Sequence, residues 1–321
     1  MKKWSFDKPM KKSLYILTLL VSLFCFNAYS QQAPMYGQYI FNNSVINPAQ
    51  AGANDKSQWG ILGRYQWRGV EGAPVTHTAF FNGRLPGNMG VTIGIYQDNI
   101  GPMRDHTLQS DFAYHARLSE NWYLSGGLRI VTSIIKLNLL ELENLDPGDP
   151  YFNQNLSSGV QWNVGAGLLA FSEKTFFGVS LPKAQRKGFG TETYQQNIVA
   201  RHLFIYGGTT FDLIDNLVFT PSFLYKNSER APVQLDINLI FGFNETFDFG
   251  PMIRSNLSES WFDAVGFLVG IKLTPNWYFG YMYEYPTNDL NLVTKQTHEI
   301  SLRYLWSAKQ KLRIRSPRYF H

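Results

Sequence analysis

The 321-residue sequence has one cysteine, Cys25, and charged residues make up only 17% of it. A single cysteine excludes intramolecular disulfides and cysteine metal clusters. Average proteins carry about 25% charged residues, so the deficit points away from an ordinary soluble surface. Long apolar runs are scarce too. Beyond residue 30 no stretch of ~18 residues is apolar enough for a transmembrane helix, and the nearest, residues 155–172, is broken by polar residues and glycines at alternate positions. The basic excess is confined to the ends. Of the net +5, residues 1–30 carry five Lys and one Asp, and residues 303–321 carry six Lys or Arg and no acid. The interior is acidic on balance, which excludes a nucleic-acid-binding face.

The start reads as a secretory signal: Lys11-Lys12, the apolar residues 14–26, then Ala28-Tyr29-Ser30 before Gln31. Cleavage is expected near Ser30. Phe24 ahead of Cys25 is too bulky for a lipoprotein cleavage site.

Aromatics are abundant, with 24 Phe, 18 Tyr and 8 Trp, yet mean hydropathy is −0.21. That combination suits a chain showing lipid only every second residue. Period-two alternation recurs: Trp59, Ile61, Gly63, Tyr65 and Trp67 share one face, and Gly60, Leu62, Arg64 and Gln66 the other. Helical spacing fits such windows poorly. About fourteen strands of barrel length follow, near 57–67, 75–84, 89–97, 105–118, 121–132, 159–171, 174–181, 199–211, 217–226, 232–243, 247–255, 261–272, 276–285 and 296–306. Even-to-odd connections are tight and rich in Gly, Pro, Asn, Asp and Ser, whereas the two longest, about 133–158 and 182–198, are odd-to-even. Short turns on one rim and long loops on the other mark a transmembrane antiparallel β-barrel. A secreted sandwich or propeller has no reason to obey that rule. Ile93, Leu235 and Leu302 are expected to face lipid. Gly94 and Asp236 are expected to face inward, where an arginine is better tolerated. Trp and Tyr near strand ends supply an interfacial girdle.

The domain reading is a signal peptide (1–30), an N-terminal segment (31–56), the barrel (57–306) and a basic tail (307–321). The segment holds Tyr36, Tyr39, Phe41, Val45 and Ile46, which need burial. It either plugs the lumen or forms a periplasmic cap.

Chemistry is sparse. Histidines 77, 106, 115, 202, 298 and 321 form no metal pair, and nothing matches a nucleophile elbow or phosphate loop. Asp146-Pro147-Gly148-Asp149 reads as a turn. No catalytic residue, cofactor or metal is expected, and a hydrolase site at the barrel rim is the weakest alternative.

Three blocks near the start carry a family pattern: Gln38-Tyr39-Ile40-Phe41-Asn42 with Asn47-Pro48-Ala49-Gln50-Ala51-Gly52; Arg64-Tyr65-Gln66-Trp67-Arg68-Gly69 with Gly72-Ala73-Pro74-Val75-Thr76; and Gly94 to Pro102. With Tyr283-Glu284-Tyr285, His298-Glu299-Ile300 and the terminal Ser316-Pro317-Arg318-Tyr319-Phe320, the chain resembles the PorP/SprF family of the type IX secretion and gliding apparatus. The resemblance implies a non-enzymatic outer-membrane barrel. It implies partners too: a secreted surface protein or adhesin, a periplasmic OmpA-like lipoprotein or other secretion component, and outer-membrane lipid. Candidate contact residues are Trp67, Gly69, Gly72, Pro74, Asp98, Gly101 and Pro102 in extracellular loops. Arg313, Arg315, Arg318, Tyr319 and Phe320 are candidates in the tail. A passive solute channel is the alternative function. Basic residues near an anionic surface contribute about 1 kcal/mol each, but the tail's aromatics point to a protein surface. Deleting residues 307–321 should leave a heat-modifiable barrel that no longer co-purifies its periplasmic partner. Normal pull-down by the truncated protein would refute that role.

Overall fold

The computed structural model describes residues 36–307 except 55, 142–153, 186, 192–193, 200, 229–230, 258–259 and 295, with backbone alone at 187–191, 194–199, 260–261 and 307. The sequence's expectations for residues 1–35, for the turn at 146–149 and for the tail at 308–321 lie outside the described residues.

Alternation in the sequence becomes alternation in space. Fourteen barrel strands are present among the described residues: β1 (Lys56–Tyr65), β2 (Val75–Leu85), β3 (Met89–Ile100), β4 (Met103–Arg117), β5 (Tyr123–Leu137), β6 (Gln161–Phe171), β7 (Thr175–Leu181), β8 (His202–Thr209), β9 (Leu217–Ser228), β10 (Ala231–Phe243), β11 (Phe247–Asn256), β12 (Ser260–Lys272), β13 (Trp277–Pro286) and β14 (Thr297–Ser307). Each pairs antiparallel with its sequence neighbours. β1 pairs β14 from Lys56↔Ser307 to Tyr65↔His298, which closes the ring. Closure leaves no unpaired edge to be satisfied in lipid.

The short turns lie on the rim where β1 begins and β14 ends. Asn88, Asn216, Asn244 and Glu245 adopt positive φ there. Asn244-Glu245, with both residues positive, has the sign pattern of the mirror-image turn that matches strand twist. The described residues of the connections 66–74, 138–160, 182–201 and 287–296 lie on the opposite rim, here called the mouth. The 182–201 connection contains a hairpin, Lys187–Thr191 with Tyr194–Val199, that polar composition does not announce. β8 resumes after Thr210 as Phe211–Ile214, which stays paired with β9.

The outer surface is apolar at mid-height, with Ile61, Ile93, Ile95, Leu108, Leu128 and Ile130 exposed. Aromatic clusters flank it. Toward the short turns, Trp59 packs on Trp277 at 5.4 Å and on Tyr304 at 6.0 Å, and Phe81 stacks on Trp306. Toward the mouth, Tyr65 meets His77, and His298 lies between Tyr281 and Tyr283. Amphipathic rings at both levels are the girdles of an outer-membrane barrel.

The inward face is polar, and it is packed. Ile93 faces out while Gly94 and Asp236 face in, as the alternation requires. Tolerance of arginine on the inward face does not follow. The Tyr96 ring folds over Gly94, within 2.8 Å of where a Cβ would stand. Asp236 binds Lys226 at 2.6 Å and Arg254 at 2.9 Å. Both faces therefore reject a cation for different reasons. Ile93→Arg should lose about 2–4 kcal/mol by placing charge in lipid, and Asp236→Arg about 3–5 kcal/mol by stranding buried cations. Urea midpoints in liposomes measure both. An Asp236→Arg protein that unfolds like the parent contradicts the packed lumen.

Candidate functional site

Residues 36–54 lie inside the ring of strands, and nearly all of them are buried. They form three 3-10 turns, Gln38–Ile40, Asn43–Val45 and Pro48–Gln50. Pro48 with asparagines and glycines at short intervals prevents a longer helix. Asn47, held extended by the following Pro48, caps the third turn by accepting from the Ala49 N–H at 2.8 Å. Gly52, at φ +66°, then turns the chain toward β1.

Inward side chains around the ring bind this segment's backbone. The Glu299 carboxylate accepts from the N–H groups of Gly37 at 2.6 Å and Gln38 at 2.8 Å, and pairs with Arg64. Arg303 donates to the Phe41 carbonyl and lies 4.7 Å from the Phe41 ring and 4.2 Å from the Tyr278 ring. Arg129 donates to the carbonyls of Ser44 and Val45 while it holds Asp111. Ser180 donates to the Ile46 carbonyl, Ser125 to that of Ala49, and Arg84 to Gly52. Side chains add Asn238 to the Tyr39 hydroxyl and Gln50 to the Tyr206 hydroxyl. Two strand glycines make room. A Cβ on Gly127 would stand 2.3 Å from the Ala49 nitrogen, and one on Gly90 1.9 Å from the Ala51 oxygen.

Behind Glu299 a chain of buried charges draws on five strands. Arg64 reaches Glu284 at 3.5 Å, Glu284 binds Arg254 at 2.9 Å, and Arg254 binds Asp236, which holds Lys226. Buried ions cost several kcal/mol each unless paired with good geometry. Here each carboxylate has at least one cation.

At the mouth, three connections lock together. Trp67 sits at φ +49°, a conformation a bulky side chain seldom adopts. Its N–H donates to Thr297 Oγ1, and the Arg68 N–H donates to the Gln296 carbonyl. Gly72 and Gly101 both have positive φ, and the Gly101 N–H donates to the Gly72 carbonyl at 2.8 Å. The carbonyls of Pro74 and Pro102 accept from Gln66 and Asn138. Gly69, at φ +98°, stands in open space. Thus Trp67, Gly72, Pro74, Gly101 and Pro102 come together at the mouth, with Gly69 beside them. Asp98 is a correction: β3 runs on to Ile100, so Asp98 is an inward strand residue rather than a loop residue, accepting from Thr76 Oγ1 at 2.6 Å. Val70, Leu292 and Val293 are exposed on the same surface, Leu292 at 82%.

Between the mouth and the N-terminal segment lies a cavity of about 110 Å³. Tyr36, Tyr39, Val45 and Ile46 line it from the segment, and Phe204, Leu224, Asp98, Asp105 and Lys183 from the wall. Lys183 stands in the connection after β7. Burial lowers its ammonium below the ordinary value, against the pull of Asp105. Sequence reasoning missed Asp105, Arg129, Lys183, Lys226 and Arg254, and gave Glu284 and Glu299 no role beyond the family motif. Those on strands were findable as charges at inward positions of otherwise apolar-alternating segments. Among the described residues no three His, Cys, Asp or Glu side chains could share a metal ion.

The family model for the type IX secretion system membrane protein PorP/SprF matches residues 28–304. No curated protein matches the chain. Among solved structures, the CymD monoaromatic hydrocarbon channel is similar with a TM-score of 0.50 at 11% identity, covering 88% of this chain and 96% of that one. The Ralstonia pickettii toluene transporter TbuX gives 0.50 at 10%, covering 83% and 93%. Omp33 of Acinetobacter baumannii gives 0.45 at 9%, covering 79% and 100%. At these identities the likeness is one of fold.

Removing the Glu299 carboxylate takes away Arg64's nearer carboxylate and strands two backbone donors at once. Glu299→Ala should therefore cost about 3–5 kcal/mol and raise hydrogen exchange at residues 36–42 while the strands keep their protection. Unchanged exchange there would show that Glu299 does not hold the segment.

Proposed function

The chain belongs to the PorP/SprF family of type IX secretion system membrane proteins, and from that premise we propose that it is a closed outer-membrane docking barrel that supports export or surface retention of a secreted partner, adhesin-like in character. In this reading the mouth faces the cell exterior, the short turns face the periplasm, and the signal peptide is removed near Ser30. The observation that carries it is the filled lumen. Residues 36–54 are hydrogen-bonded to strands around the ring, so the transmembrane path is occupied by the protein's own chain. A passive channel needs a continuous aqueous lumen, and a secretion partner needs a firm surface.

The mouth supplies such a surface. Three connections fixed by backbone hydrogen bonds lose little entropy when a partner binds. Exposed Val70, Leu292 and Val293 beside Trp67 offer an apolar patch where lipid does not reach. A secreted protein is the occupant in this reading, and a periplasmic OmpA-like lipoprotein or another secretion component meets the opposite rim through the tail. The reading assigns no catalysis to the barrel.

Two measurements test it. In planar bilayers the purified protein should conduct near baseline, and deletion of residues 36–54 should open ion-conducting pores. Steady, substantial conductance by the intact protein favours the channel. In cells, Val70→Asp with Leu292→Asp should reduce surface retention of the partner about tenfold or more, in line with loss of an interface anchor, while barrel abundance stays unchanged. Full retention would remove the mouth from the docking role.

A further inference from the structure

Asp98 and Asp105 are direct cross-strand partners on β3 and β4, and both face inward. Like charges placed opposite one another destabilise a sheet. The lumen's other charged clusters avoid this problem: Asp111, Asp236, Glu284 and Glu299 each bind an arginine. Asp98 and Asp105 do not. Each accepts one hydroxyl hydrogen, from Thr76 at 2.6 Å and Thr107 at 2.9 Å, and among the described residues neither has an ion-pair partner. Three cations, Arg129, Lys183 and Lys226, line the same cavity, and two of them are held by other groups. Arg129 is held by Asp111 and the carbonyls of Ser44 and Val45, and Lys226 by Asp236. Lys183 is attracted by both carboxylates but, among the described residues, forms an ion pair with neither.

The pair lines the cavity below the mouth. On the same wall Tyr96 is 8% exposed, and its hydroxyl has no hydrogen-bond partner. The floor is apolar: Tyr36, Tyr39, Val45 and Ile46, with Leu224 and Phe204 across from them. About 110 Å³ has room for a side chain or two but not for a folded domain. A small hydrated cation would leave the apolar floor uncovered, and a neutral apolar group would leave two carboxylates and a hydroxyl unmatched.

We propose that this vestibule is a peptide-binding site that takes a basic side chain of the secreted partner onto Asp98 and Asp105 and an adjacent apolar side chain onto the Tyr36–Ile46 floor. The proposal rests on the docking-barrel reading and names the chemistry of the segment that the mouth admits. A lysine or arginine is drawn in by the carboxylate pair, and its hydrocarbon stem lies along the rings. The segment enters from the mouth, because residues 36–54 close the other side.

The test uses the full-length protein in nanodiscs and two fluorescent peptides of equal length, Gly-Leu-Lys-Leu-Gly and the same sequence with norleucine in place of lysine. The lysine peptide should bind about tenfold or more tighter than its neutral analogue, and the preference should disappear in Asp98→Asn/Asp105→Asn. That variant removes two facing like charges, so its heat-modifiability should match the parent. Equal binding of both peptides, binding of neither, or a preference that survives in the double variant overturns the proposal. So does binding that appears only after deletion of residues 31–35, which would assign the vestibule to the protein's own chain. Partner co-purification separates the two levels. If the parent retains the partner and the double variant retains it equally, the vestibule proposal fails and the docking barrel stands. If the parent itself retains none, the docking reading fails.

Discussion

A carboxylate taken out of water must find charge or hydrogen-bond donors for its oxygens, and in this barrel Glu299 finds them in two places at once. Arg64 on the neighbouring strand supplies charge, and the N–H groups of Gly37 and Gln38 supply direction. Leaving an ion unpaired there would cost several kcal/mol. The wall therefore holds the N-terminal segment for the same reason that the segment holds the wall. Arg303 on Phe41 and Arg129 on Ser44 and Val45 repeat the arrangement farther along the chain. Each uses a strand arginine to satisfy carbonyls that 3-10 turns leave free. With the lumen filled this way, the polar inward face behaves as a protein core.

A filled lumen shifts function to the ends of the barrel. The strands carry lipid-facing apolar residues and two aromatic belts, which fix the molecule in the outer membrane. What is left for recognition is the mouth, where the 66–74 and 287–296 connections and the Gly101-Pro102 turn are tied by backbone hydrogen bonds, and the vestibule beneath it. Surfaces made rigid before binding lose less on binding. That property suits the docking role proposed for the mouth.

Much of the barrel was legible because its signal is local. A strand with lipid on one side and a packed lumen on the other must alternate, and Trp59–Trp67 or Val233–Phe243 shows it without reference to any other segment. Tight turns were legible through Asn88, Asn216 and Asn244, residues that tolerate positive φ. What escaped was non-local. Glu299 and Gly37 are 262 residues apart in the chain, and no pattern within either segment announces the contact. Asp98 reads as a loop residue in the sequence because Asp98–Pro102 is rich in residues that fix unusual backbone angles. In the structure cross-strand pairing continues to Ile100↔Met103, and the turn is left with two residues. The hairpin inside 182–201 escaped because a polar stretch read as loop composition.

The central claim is that the working protein keeps residues 36–54 in its lumen. Ser301 donates to the Gln38 side chain at 2.6 Å, and the sequence's one cysteine, Cys25, can be replaced by serine. Gln38→Cys with Ser301→Cys, joined in intact outer membranes by a short bifunctional methanethiosulfonate, is therefore the most direct measurement. The account predicts near-complete cross-linking and undiminished surface retention of the secreted partner by the cross-linked barrel. Cysteines that stay uncoupled and react with a bulky membrane-impermeant maleimide, or a cross-linked barrel that loses its partner, would contradict it.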